Sequence, residues 1–465
     1  MRRMVEGKLK YWLIKHFAGA LLCLALAGRA WGDTALECHQ RAMAKQAQGD
    51  LNGALAEENQ AVELRPDFPE AYYVRGQVRV LLGNPAAAIE DFSLALKHKP
   101  DFAPAYCARG EARRAQGDLL GALMDYNLAI LNQADFVEAY AGRAEVRRLR
   151  GDVDGAIADD AKVLDRQPRD AAAFADRAAA RLARGDFDGA LADDAQSLGL
   201  KPDQAEVYNN SALARKGKGD LAGALADFNQ ALELKPDYVA AYLGRAFVKC
   251  LQGDLAGGVA DDTRAIGYQP GNAGAFYNRG AARQSLGDLA GAGEDFDRVI
   301  ELDPGFAYAY RNRGVMRFDA HDFAGAEVDF RKALELDPGL TYIRFRIWMA
   351  RSRLGQPDQA TTELRTYLAG LPPGGAPDWP VLVGRFLADE LGETDLLAGA
   401  EHLDPARKAG CACEADYYAG EKRLLAGDSA GAADCFNKAV ASGRKDLQEY
   451  TSAQAELGFL KAGKN

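Results

Sequence analysis

The sequence predicts an all-α solenoid, a stack of antiparallel helix pairs, and three observations predict it. Glycine recurs at Gly49, Gly83, Gly117, Gly151, Gly185, Gly219, Gly253 and Gly287, every step being 34 residues. Proline keeps the same step at Pro66, Pro100, Pro168, Pro202, Pro236, Pro270, Pro304 and Pro338, with Ala134 in the one gap. Small residues follow in phase, from Ala54, Ala88 and Ala122 through Gly258 to Ala292 and Ala326. A period of this length is one helix pair, too small to bury its own apolar face. Neighbours must therefore stack into a continuous core.

Each mark has a physical reason. The glycine ends the first helix of a pair, where a left-handed cap excludes most side chains. Asp50, Asp118, Asp152, Asp186, Asp220, Asp254, Asp288 and Asp322 come next, suited to capping the second helix. The small residue lets that helix approach its partner, and proline stops it. An aromatic opens eight of the repeats, among them Tyr72, Tyr106, Phe174 and Tyr310.

This spacing and chemistry resemble the tetratricopeptide-repeat (TPR) family over nearly the whole chain after its first stretch. The resemblance implies a right-handed superhelix of helix pairs that binds other proteins. Nine repeats occupy 35–340, and a degenerate tenth occupies 341–370, with Gly355 and Ala360 still in phase. Residues 371–412 read as a helical insert that opens on Leu371-Pro372-Pro373-Gly374-Gly375 and holds two short helices, Trp379 to Leu391 and Thr394 to Leu403. The repeat returns at 413–446, and 447–465 supply a capping helix and tail, which a solenoid needs over its last apolar face.

Residues 1–32 follow a different grammar. Arg2, Arg3, Lys8, Lys10 and Lys15 precede the apolar run Phe17 to Ala27, far shorter than the roughly 20 residues of a membrane span. A cleavable signal peptide is expected, cut after Ala27 or Gly32, with an exported, periplasmic product that has no stable membrane anchor. The formal charge of −10 argues against nucleic acid as a partner. The five histidines show no metal-ligand spacing, and no phosphate loop or nucleophile elbow is present. No catalytic residue, metal or cofactor is expected.

Inside the repeat runs a charge ladder. Numbering each repeat from 1, with Ala35 opening the first, position 7 is Arg in all but the sixth, position 11 is always basic and position 23 always acidic. Like charges at i and i+4 repel on one helix, so their recurrence implies an acid across the pair. The expected pairs include Arg75 with Asp91, Arg109 with Asp125, Arg143 with Asp159, Arg279 with Asp295, and Arg313 with Asp329. Asp160, Asp194 and Asp262 stand where the family has an aromatic, and are expected to be solvated or paired.

The first helices are expected to line a concave groove, reached by positions 2, 5, 6, 9, 12 and 13. Those positions supply Asn210 in the sixth repeat and, in repeats 8 to 10, Tyr277, Asn278, Tyr308, Arg311, Asn312, Tyr342, Phe345, Arg346 and Met349. Aromatics and arginine are the usual anchors of protein interfaces, and an asparagine amide can hold an extended peptide backbone. Asn210, Asn278 and Asn312 resemble part of the asparagine ladder of peptide-binding TPR proteins.

The region 307–462 carries four short motifs: Phe345-Arg346-Ile347-Trp348-Met349-Ala350, Asp378-Trp379-Pro380-Val381, Glu414-Ala415-Asp416-Tyr417-Tyr418-Ala419-Gly420, and Glu449-Tyr450 to Leu457. Their order resembles the bacterial TPR lipoproteins of the new lipoprotein I type. That resemblance implies an envelope adaptor that forms a homodimer and recruits a periplasmic PDZ-type protease and peptidoglycan hydrolases. Arg29 stands where that family has its lipid-bearing cysteine, so a soluble product is expected. The alternative function is an assembly scaffold or chaperone for an unrelated exported complex.

Overall fold

The computed structural model describes residues 34–371, 378–401 and 405–463, and among them every regular element is an α-helix. The expected signal peptide lies outside the described residues. The chain divides after Pro236 into two compact halves.

The N-terminal half begins with helices Thr34–Ala47 and Leu51–Leu64 and repeats that pair through Ala205–Gly217 and Leu221–Leu234. Turn chemistry sets the pair. Gly49 closes the first helix at φ +82°, a left-handed conformation that an L side chain rarely adopts. The Asp50 carboxylate then accepts the Gly53 amide at 2.9 Å and caps the second helix. The same cap recurs at Asp118, Asp152, Asp186 and Asp220. Successive first helices touch each other, as Thr34–Ala47 does Pro69–Leu81, while successive second helices make no contact of that extent. The first-helix face is therefore the inner one.

The C-terminal half continues the pattern from Val239–Leu251 and Leu255–Tyr268 to Ala307–Asp319 and Phe323–Leu336. The tenth repeat is a full pair, Thr341–Arg353 and Pro357–Ala369, closed by Gly355 at φ +79°. Helices Trp379–Leu387 and Glu393–Glu401 follow, the first shorter than the sequence suggests. The next helix begins at Pro405 rather than 413 and runs 21 residues to Leu425, so the end of the expected insert is part of the eleventh repeat. Ser429–Ala441 completes that repeat and Gln448–Lys461 closes the described chain.

The two ends of this half pack differently. In the eighth and ninth repeats the core is alanine with one aromatic per second helix, Phe296 or Phe330. Past residue 341 it becomes one large apolar cluster holding Phe345, Trp348, Met349, Trp379, Phe386, Tyr417, Tyr418 and Phe436. That change decides where a groove can stay open.

Candidate functional site

The ladder lies inside each pair. Arg75 Nη2 stands 2.6 Å from Asp91 Oδ1, Arg109 2.7 Å from Asp125, and Arg143 2.6 Å from Asp159. Arg279 and Arg313 repeat this at 2.6 Å with Asp295 and Asp329. The basic residue at position 11 reaches the other oxygen of the same acid, as Arg113 does Asp125 at 2.8 Å and Arg317 does Asp329 at 2.9 Å. Each acid is buried between two cations, a satisfied arrangement that specifies register more than it adds net stability. In the sixth repeat Ser211 replaces the arginine and donates its hydroxyl to Asp227 at 2.6 Å.

The position-7 arginines also tie one repeat to the one before it. Arg75 donates to Asn59 at 3.1 Å, Arg109 to Ser93 at 3.0 Å, Arg143 to Asn127 at 2.7 Å, and Arg313 to Asp297 at 2.6 Å. From Arg75 onward each guanidinium lies 5.2–5.7 Å from the centroid of the aromatic three residues earlier. The opening aromatic of the repeat thus also holds the ladder cation.

Of the acids at position 24, Asp160 is paired as expected, while Asp194 and Asp262 depart from expectation. Asp160, Asp194 and Asp262 are buried rather than solvated. Asp160 accepts from Arg148 at 3.1 Å. Neither carboxylate oxygen of Asp194 has a hydrogen-bond partner among the described residues, nor does Oδ1 of Asp262. Burial, with the Asp193 and Asp227 charges adding to it, pushes Asp194 up to about 7, and Asp262 is raised to about 7 by burial and Asp261. Packing explains why sequence misjudged Asp194 and Asp262: the position faces the inter-helix core whatever residue occupies it.

The expected groove residues separate into two groups. Tyr308 is half exposed on the inner face with Arg311 stacked 5.4 Å from its ring centroid, and Asn278 is partly exposed on the first helix of the preceding repeat. Asn210 is partly exposed in the N-terminal half. Tyr277 is partly buried against Phe306 and Phe296. Asn312 is buried: its amide nitrogen points to the Tyr277 hydroxyl at 3.4 Å, and its oxygen accepts Arg311 Nε at 3.1 Å.

Tyr342, Phe345, Arg346 and Met349 do not line an open groove, which corrects the expectation. The chain's own later helices, Pro405–Leu425 and Gln448–Lys461, cover them. Arg346 is 3% exposed and donates to the Tyr417 hydroxyl at 3.1 Å and Ser452 Oγ at 3.0 Å, with Glu449 3.5 Å away. Ser452 in turn donates to Asp319 at 2.7 Å. The Tyr342 hydroxyl and Trp379 Nε1 both donate to Glu414 Oε2, at 2.9 and 2.8 Å. Burial and nearby Glu449 raise the Glu414 carboxyl to about 7. Phe345 and Met349 are wholly enclosed. The four motifs of this region thus meet in one buried network. Its partners lie 71 and 106 residues from Arg346, beyond any local spacing rule.

The inner face stays open before that closure. Phe247 and Leu251, at positions 9 and 13 of the seventh repeat, are each about half exposed. They were missed as individual candidates, although the position rule covers them. Phe247, Leu251, Asn278, Tyr308 and Arg311 place apolar, amide and cationic groups along the first helices of three consecutive repeats.

Comparison with known proteins fits this geometry. Family models described as TPR repeat match residues 44–83 and 213–253. Models described as tetratricopeptide repeat match 69–102 and 277–341. Tetratricopeptide repeats are thereby matched over residues 44–102, 213–253 and 277–341. Such arrays are protein-interaction scaffolds. Among solved structures, a tetratricopeptide repeat protein from Parabacteroides merdae aligns at 20% identity and TM-score 0.44, over 50% of this chain and 93% of its own. YrrB, described as a TPR protein with an unusual peptide-binding site, aligns at 17% identity and TM-score 0.37, over 40% and 95%. Yeast Tom70 aligns at 18% identity and TM-score 0.36, over 92% and 95%. With TM-scores below 0.5, these likenesses add nothing to what the helix pairs and family models establish. No curated protein matches the chain.

Proposed function

We propose that the protein is a non-catalytic adaptor of the bacterial cell envelope that holds partner proteins or peptides on its inner TPR face. The observation that carries this reading is the exposed row Phe247, Leu251 and Tyr308 beside Asn278 and Arg311. Apolar anchors flanked by an amide and a guanidinium suit an extended or helical segment with alternating apolar and acidic groups. The groove is expected to end near Tyr308, because the buried Arg346 network fills the face beyond it. The basic and apolar leader supports export. The order of motifs after residue 307 supports recruitment of a periplasmic protease or peptidoglycan hydrolases.

The test is a pull-down from host periplasmic extract, with the protein lacking residues 1–32 as bait and a Phe247→Ala, Asn278→Ala, Tyr308→Ala triple variant beside it. A PDZ-type protease or peptidoglycan hydrolase recovered by the parent and lost with the variant supports the adaptor reading. Recovery of an unrelated exported complex supports the scaffold or chaperone alternative instead. Equal recovery by both baits sinks the inner-face assignment.

A further inference from the structure

Helix Gln448–Lys461 packs on Ser429–Ala441 and Pro405–Leu425 as the first helix of a further repeat would. It also reaches back to Ala307–Asp319, the first helix of the ninth repeat, and no other first helix makes a contact of that extent across two intervening repeats. The last helix therefore lies across the inner face. There it is held as a helical ligand is held in a groove. Glu449, Ser452 and Glu456 step by 3 and 4 residues along one side of it, the anchor spacing of a bound helix. Ser452 Oγ accepts from Arg346 at 3.0 Å and donates to Asp319 at 2.7 Å. Glu449 lies 3.5 Å from Arg346 and Glu456 3.1 Å from Arg353. Asp319, Arg346 and Arg353 stand at positions 13, 6 and 13 of the ninth and tenth repeats, all of them groove positions.

Two features distinguish this contact from a permanent cap. Its charges are poorly matched, because Asp319, Glu421, Glu449 and Glu456 gather around two guanidiniums, Arg346 and Arg353. Arg346 Nη2, Glu421 Oε1 and Glu456 Oε1 are buried with no hydrogen-bond partner among the described residues. Burial and the Glu421 charge push the Glu456 carboxyl up, and burial raises Asp319 to about 6. The second feature is His321. Glycine holds the left-handed end of the first helix in the other ten repeats, whereas the ninth has His321 there at φ +63°. Its ring stacks on Phe459 of the last helix, with centroids 3.6 Å apart. Backbone strain thus sits where the last helix lands.

We propose that helix 448–461 is an autoinhibitory strap, a ligand in cis on the inner face of repeats 9 and 10, which a partner's amphipathic helix with acid and hydroxyl groups at the same spacing displaces. Displacement would lengthen the open row of Phe247, Tyr308 and Arg311 by adding Arg346 and Arg353. The proposal rests on the inner face being the binding face, but not on that row, so the two fail separately.

Native-state hydrogen exchange on the full chain tests the strap, beside binding of a fluorescein-labelled synthetic peptide of residues 447–462. In the parent, amides of 448–461 should open at least about tenfold more often than those of Phe323–Leu336. Ser452→Arg sets a second cation against Arg346 and should raise that opening further. The peptide's affinity should rise by the same factor, because apparent affinity scales with the open fraction. A peptide carrying the same Ser452→Arg change should not bind. His321→Gly is the milder variant, removing the stack while relieving the strain. It should speed exchange in 448–461 without lowering the melting temperature of the array. Exchange of 448–461 only together with 323–336 in the parent overturns the proposal, whatever the variants do. Faster exchange without a gain in peptide affinity overturns it too, as does slower exchange in His321→Gly, since the helix is then a fixed cap.

Discussion

Residues 171–200 and residues 307–336 are the same helix pair built twice, and the interior at position 24 sets them apart. Both keep the ladder, Arg177 to Asp193 at 2.7 Å and Arg313 to Asp329 at 2.6 Å. Both keep the cap, Asp186 or Asp322 accepting a glycine amide. In the later pair Phe330 fills the space between helices so closely that a methyl on Gly314 would meet its ring at 2.7 Å. In the earlier pair Asp194 sits there, buried and unpartnered, facing a helix that carries Ala178 in place of glycine. Glycine at position 8 accompanies the ring in five repeats, Gly76, Gly110, Gly280, Gly314 and Gly420, while the sixth accommodates Phe228 beside Ala212. The comparison separates two jobs. Cap and ladder set the register of a pair, and the ring supplies packing that a pair can fold without.

The largest effect should come from exporting the weaker interior. Phe330→Asp loses the ring's burial and strands a carboxylate, which should cost about 3–5 kcal/mol in urea unfolding. A loss below about 1 kcal/mol would mean that the ring is not what distinguishes the two pairs.

A smaller but matched effect is expected from the shared ladder. Asp193→Ala and Asp329→Ala each leave two arginines without their common acid. Each should cost about 2–4 kcal/mol, the partial exposure of those arginines moderating the loss. Unequal losses would show that the ladder depends on the ring after all.

The smallest effect has the opposite sign. Asp194 has a folded pKa near 7, above its unfolded value near 4. Below about pH 4 it is protonated in both states and costs nothing extra. As pH rises towards 7 the unfolded chain ionises first, so folding loses stability across that window. Asp194→Asn should therefore gain about 1–3 kcal/mol at pH 7.5 and little near pH 4 in paired thermal melts. A gain that does not change with pH would place the effect outside titration.

Much of this fold could be read locally. The glycine that ends a helix, the aspartate that caps the next and the arginine that meets an acid 16 residues on all act within one repeat. Spacing therefore reports them directly. The half-exposed Tyr308 and partly exposed Asn278 follow from the same periodicity, as Phe247 and Leu251 would have done. Phe345, Arg346 and Met349 were misplaced because periodicity says which face a residue takes, not what later covers that face.

Sequence by itself determined the repeat, its caps, its ladder and the inner face, because each depends on contacts within or between adjacent repeats. Tertiary structure alone decided that the inner face closes near residue 341. It also decided that Arg346 binds Tyr417 and Ser452 rather than a partner, and that Asp194 is sealed from water. Those outcomes depend on where distant helices come to rest, and on burial, a property of the whole stack rather than of any residue in it.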